Sequence, residues 1–163
     1  MKTSRIHRRA VFTGGMLLFA NPGTAQTPPC RPPRVLFVCP AGTVKSAIAR
    51  ETLRRGAAQR GLAVQVQSRG IHPEDHLSPA LVVQLGADGI NPRSEPVQPL
   101  TAGDISGNDL IIAFDEAAQA PGLGKARVWE IPSWNTSYAA AKSALAVQVD
   151  ALLDELRARP CRR

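Results

Sequence analysis

The chain predicts an α/β fold, a parallel sheet layered between helices, and three observations carry that expectation. Apolar runs of strand length alternate with helical patterns along the chain; the first run, Val35-Leu36-Phe37-Val38, has no polar interruption; and the last helical stretch sets Leu145, Val149, Leu152 and Leu156 at four- and three-residue spacing. An unalternated apolar run suits a strand buried on both faces of a parallel sheet. Strands that alternate with helices imply right-handed crossovers and hence helices on both faces. The expected architecture is a three-layer α/β/α sandwich around a four-stranded parallel sheet.

Each element follows from its own residues. Positions 34–39 form the first strand, ended by Cys39. The segment 46–60 is rich in Ala, Leu, Arg and Glu, with Ile48, Leu53 and Ala57 on roughly one face, and predicts a helix. A second strand is expected over 64–69, closing in Ser68-Arg69-Gly70, and a second helix over 77–87, stopped by Gly89. Residues 89–108 read as loop with one short turn of helix. A third strand spans 109–114, and Asp115 and Glu116 after it read as a strand-end cap and a surface charge, with orientation of the first loop as a second reading. A fourth strand covers 127–131 and a final helix 136–158. The 163 residues and 44% hydrophobic content suit one domain with an ordinary core. No repeat, low-complexity tract or second domain interrupts it.

The amino-terminal end has a different character. Met1 to Arg9 carries Lys2, Arg5, Arg8 and Arg9 with no acid; Ala10 to Ala20 is largely apolar; Gly23-Thr24-Ala25 supplies small residues before Gln26. This is the pattern of a secretory signal peptide over 1–25, followed by a Pro-rich extended linker over 26–33 and the folded domain over 34–163. The alternative is a cytoplasmic protein with an unstructured head. The apolar stretch is too short for a membrane span, so the mature form is expected to lack one. The adjacent Arg8 and Arg9 point to twin-arginine export and a periplasmic or extracellular destination. Formal net charge is +7, and removing the four basic residues of the leader leaves +3. With 4% aromatic residues and no basic stripe, a nucleic-acid interface is excluded, while the modest positive charge helps an anion approach. His72 and His76 sit in a Pro-Glu-Asp-rich loop without a Cys or third His nearby, so neither a metal nor another cofactor is expected.

The chemistry concentrates at the first turn. Cys39 stands between a buried strand and a helix, with Pro40, Ala41, Gly42, Thr43 and Val44 as the loop, then Lys45 and Ser46. Backbone N–H groups of such a loop and helix start converge above the sulfur, and the positive end of the helix dipole favours an anion there. The same field favours the thiolate that a nucleophilic cysteine requires. A lone Cys after an apolar strand is more often a buried core thiol. The loop, the cation and the hydroxyl weigh for an oxyanion site, since a cation at the positive end of a helix calls for a partner anion.

The spacing of Cys39, Lys45 and Ser46 resembles the phosphate-binding loop of the low-molecular-weight protein tyrosine phosphatases, a loop and fold shared by thioredoxin-coupled arsenate reductases. The resemblance covers nearly everything after residue 33, including Ser68-Arg69-Gly70, Pro99-Leu100-Thr101 and Asp109 to Glu116. It implies the strand order 2-1-3-4. It also implies a mechanism in which Cys39 attacks phosphorus, Lys45 and the loop amides hold the oxygens, and Ser46 donates to the sulfur. The family loop carries Gly, Asn and Arg where this chain has Ala41, Gly42 and Lys45. Lysine offers one compact charge where arginine offers a two-pronged clamp. The family's general acid is an Asp in an Asp-Pro pair after strand four; here the matching stretch is Glu130-Ile131-Pro132-Ser133-Trp134-Asn135, with Ser133 at the acid position. Glu130 is the nearest carboxylate, but strand alternation argues against its reach. Trp134 and Tyr138 are read either as walls of the site or as packing residues.

Three activities follow as expectations: hydrolysis of protein-tyrosine or aryl phosphate monoesters, impaired by the two changes; an inactive exported module that binds an oxyanion or a partner; and, least favoured, arsenate reduction. The expected partner is a phosphate-like anion or a phosphorylated substrate, with the oligomeric state open. Topology also sorts the cysteines. Cys30 precedes strand one, Cys39 lies at the opposite edge, and the last helix returns Cys161 to the end where Cys30 stands, which predicts a Cys30–Cys161 disulfide and a free Cys39. Two free terminal thiols are the alternative.

Overall fold

The structure, a computed structural model, describes residues 31–159. The leader and the Cys30–Cys161 pairing therefore lie outside the described residues. Four strands, β1 (Arg34–Cys39), β2 (Gln65–Gly70), β3 (Leu110–Phe114) and β4 (Arg127–Trp129), form one sheet in the order β2-β1-β3-β4, with every neighbouring pair parallel. The central position of β1 explains its composition: Val35 to Val38 are fully buried because both faces and both edges are covered.

Strand alternation then divides the core into two layers. Val35, Phe37 and Cys39 face one way with Ile112 and Phe114, against α1 (Lys45–Gln59), α2 (Pro79–Ala87) and α4 (Tyr138–Ala158). Leu36, Val38 and Ala113 face the other, against α3 (Ala102–Gly107) and the 3-10 turn Asp115–Gln119, through Ile105, Ala117 and Leu123. The first layer is the thicker, with Phe37, Phe114 and Trp129 in mutual ring contact at 5.6 to 6.1 Å. Each such ring adds on the order of 2 kcal/mol of burial.

The ends of elements follow local chemistry. Ser78 caps α2 by accepting from the Leu81 amide, with Pro79 at the first helical position where a missing N–H costs nothing. The stretch expected as loop with a short helical turn holds two pieces, a 3-10 turn Pro92–Ser94 and α3, whose Thr101 and Asp104 make a reciprocal capping box. Strand β4 stops at Trp129 instead of reaching 131. Its three residues pair with Ile112 to Phe114, and β3 has no further residue to offer. Helix α4 starts at Tyr138, two residues later than expected, because the Ser133 carbonyl accepts from the Thr136 and Ser137 amides and forms a turn first. Among the described residues no helix is long and apolar enough to cross a membrane.

Candidate active site

Cys39 is the last residue of β1, and its sulfur sits at the carboxyl edge of the sheet under the loop 40–44. It is 3% exposed, yet its immediate polar neighbours point at it: the Gly42 amide donates to Sγ at 3.1 Å, and Ser46 Oγ lies 3.1 Å from Sγ. The core-thiol reading explains neither contact. The loop can turn back onto the sulfur because Gly42 has a φ of +78°, a conformation in which a side chain is strained. A Cβ there would lie 2.8 Å from the Gly70 nitrogen, so the close approach of loop to β2 demands glycine for space as well.

The loop is braced from one side by the segment after β2. The Ile71, His72 and Glu74 amides donate to the carbonyls of Cys39, Pro40 and Ala41, and the Thr43 hydroxyl donates to the Glu74 carbonyl at 2.7 Å. Val44 precedes α1 without any side-chain cap. The first amides of α1 are thus left for a ligand, as an anion site at a helix start requires. Thr43 and Ser46 are buried, while Pro40, Ala41, Val44 and Lys45 are half-buried at the mouth.

Lys45 finds its anion within the chain. Its Nζ stands 2.6 Å from Asp115 Oδ1, an ion pair that spans from the start of α1 to the carboxyl end of β3. Asp115 is therefore more than a strand-end cap. It has a φ of +53° and is the one non-glycine with positive φ among the described residues. Such a conformation is uncommon for a side-chain-bearing residue and is retained where the surroundings hold it.

Asp115 also lines an open depression of about 640 Å³ beside the loop, shared with Val128, Glu130, Ile131 and Pro132. Glu130 reaches this space because β4 has already ended at Trp129, so strand alternation no longer governs its direction. Ser133 is exposed in the turn that follows, with its carbonyl engaged by Thr136 and Ser137. Trp134 is buried in the core and meets the Tyr138 ring edge-on at 5.4 Å, which settles both as packing residues. Burial and the Asp88 carboxylate push the Tyr138 phenol above its ordinary range. His76 pairs with Glu74, and among the described residues no cluster of three or more His, Cys, Asp or Glu could hold a metal ion.

Sequence reasoning missed a second polar cluster behind the loop. Arg50, 2% exposed on α1, donates to Ser68 Oγ at 2.8 Å, to the Pro92 carbonyl and Ser94 Oγ at 3.0 Å, and to Glu51 at 2.8 Å. It locks α1 to β2 and to the turn at 92–94. Next to it, Arg69 pairs with Asp104 at 2.8 Å. Burial works against the Asp104 charge, but the Thr101 hydroxyl and the Arg69 guanidinium still hold its carboxyl below the usual range.

Comparison with known proteins agrees with this geometry. A sequence model described as low molecular weight phosphotyrosine protein phosphatase matches residues 34–145. No curated protein sequence matches. Among solved structures, YfkJ from Bacillus subtilis superposes with a TM-score of 0.63 at 19% identity, over 78% of this chain and 96% of that one. The tyrosine phosphatase Wzb from Escherichia coli K30, in complex with sulphate, gives 0.61 at 15% identity over 76% and 97%. A thioredoxin-dependent arsenate reductase from Corynebacterium glutamicum gives 0.59 at 23% identity over 77% of this chain and 62% of that one. At these identities the likeness is one of fold.

Proposed function

Because the chain belongs to the low molecular weight phosphotyrosine protein phosphatase family, we propose that it is an exported member that hydrolyses aryl phosphate monoesters, protein phosphotyrosine among them, through a covalent thiophosphate. In the first step the Cys39 thiolate attacks phosphorus in line, the P–O bond to the leaving group breaks, and the leaving oxygen takes its proton from solvent. The first amides of α1 hold the oxygens together with Lys45, and the Gly42 amide and Ser46 donate to the sulfur. In the second step water attacks phosphorus, the S–P bond breaks, and phosphate and the thiolate are released. The observation that carries this reading is the pair of polar contacts on Sγ, from the Gly42 amide and the Ser46 hydroxyl, both at 3.1 Å.

A second reading is favoured by the pairing of Lys45 with Asp115 and by the serine at position 133: a module that binds the oxyanion or a phosphorylated partner without turning it over. Arsenate reduction stands last, since it needs further redox cysteines close to Cys39, and Cys30 and Cys161 are expected at the opposite end of the sheet. The folded unit is proposed as 34–163, behind a cleaved leader, in the periplasm or outside the cell, with Cys30 and Cys161 bridged. Hydrolysis of an aryl phosphate by the mature protein, run beside Cys39→Ser, decides between the first two. Turnover that Cys39→Ser abolishes supports the enzyme; no turnover with thermal stabilisation by phosphate supports the binding module; neither turnover nor stabilisation ends both.

A further inference from the structure

We propose that Asp115 sets the charge of the oxyanion this site accepts, turning the loop toward singly charged tetrahedral oxyanions and away from doubly charged ones. The proposal rests on the oxyanion-site reading above and goes beyond it to a residue with no assigned role. Lys45 is the cation at the loop: Arg50 is engaged by Ser68, Ser94 and Glu51, and Arg69 by Asp104. Its ammonium is already held by Asp115 at 2.6 Å, and with the Lys45 side chain 16% exposed and that of Asp115 36% exposed, water screens the pair only in part. The contact is also built in. Asp115 follows β3, the neighbour of β1 in the sheet, and its φ of +53° fixes where the carboxylate stands.

The consequence for a ligand is electrostatic. An ammonium has three N–H donors, so Lys45 retains donors for an oxyanion while one serves Asp115. Two charge-assisted hydrogen bonds of ordinary length through one nitrogen leave the carboxylate and the bound oxyanion about 5 Å apart. At that separation the first negative charge of the ligand is matched by Lys45, and a second meets the Asp115 carboxylate with no cation left to offset it. For a partly screened site this amounts to about tenfold in relative affinity. An arginine in place of Lys45 would spread its charge over a fork and could serve both anions, which a point charge does less well.

The test uses two tetrahedral oxyanions of fixed charge, perrhenate (one negative charge) and sulfate (two), titrated calorimetrically at constant ionic strength into the mature protein, Asp115→Asn and Asp115→Gly. Both replacements tolerate a left-handed backbone, so both keep the turn. The expected result is that sulfate gains about tenfold over perrhenate in both variants. An unchanged ratio of the two affinities, with both ions still bound, overturns the role of Asp115 and leaves the oxyanion site standing. If neither ion binds any of the three proteins, the site and this proposal fall together.

Discussion

At the carboxyl edge of the sheet, the segment after β1 and the segment after β4 are held in different ways. After β1, residues 40–44 are tied down by three amides from 71–74 and by the Thr43 hydroxyl, and Gly42 is seated where only glycine fits. After β4, residues 130–137 are anchored by buried Trp134 and by a turn on the Ser133 carbonyl, but the position that the proposed function gives to a proton donor holds an exposed serine. In the proposed function, binding of an oxyanion and protonation of a leaving group thus fall to separate strands, with separate packing. One half can change while the other stays whole, which is why the loop geometry survives here beside an altered acid.

The sharpest way to break that contrast is to damage the better-preserved half. Gly42→Ala places a Cβ 2.7 Å from the Val97 side chain and 2.8 Å from the Gly70 nitrogen, at a φ of +78°. Left-handed strain and overpacking together should cost roughly 2–4 kcal/mol. Loss of the thermal shift produced by phosphate is expected alongside, because the Gly42 amide no longer aims at Sγ. Urea denaturation and phosphate-dependent melting measure the two effects. A variant with unaltered stability and an unaltered shift would show that the loop does not depend on this turn.

A change to the other half should sharpen the contrast. Ser133→Asp restores a carboxyl group at the acid position, and general acids contribute roughly 10²-fold or more where fully placed. The expected gain is smaller, about tenfold in kcat/KM on alkyl phosphates, whose leaving oxygens need a proton, with little change on nitrophenyl phosphate, whose leaving group does not. Equal gains on both substrates would mean that the new carboxylate acts through binding. No gain on either would place the missing donor elsewhere, with Glu130 in the shared depression the next residue to test.

The sequence announced the first half more clearly than the second for a physical reason. Strand β1 has the expected bounds to the residue because a doubly buried strand leaves an uninterrupted apolar run, and the order β2-β1-β3-β4 follows the resemblance. Cys39, the glycine and Ser46 lie within eight positions of one another, so spacing alone conveys their geometry. The partner of Lys45 is 70 residues away, and Ser68, Pro92 and Ser94, which accept from Arg50, are 18 to 44 away, so only the folded chain brings them together. One signal for Arg50 was present: it shares the stripe of Leu53 and Ala57, where a charge on an apolar face requires buried partners. The early end of β4 was hidden too, since it is set by the length of β3.

The smallest expected effect lies at the opposite, amino-terminal end of β4, where Arg127 joins the edge strand to Glu155 of α4. The Arg127 and Arg159 guanidinium groups beside Glu155 hold its carboxyl at about 2, against an ordinary value of 4.5. A carboxyl depressed on folding stabilises the folded state above its unfolded value and loses that contribution as pH falls through its folded one. Glu155→Gln should therefore lower stability near neutral pH, with the difference from wild type shrinking below about 4.5 and vanishing near 2. Because the Glu155 side chain is 36% exposed, solvent screening limits the neutral-pH difference to under about 1 kcal/mol. Urea denaturation across that acid range measures it. A constant difference at every pH would assign the loss to packing of the side chain, and would leave β4 held at this end by its ladder with β3 alone.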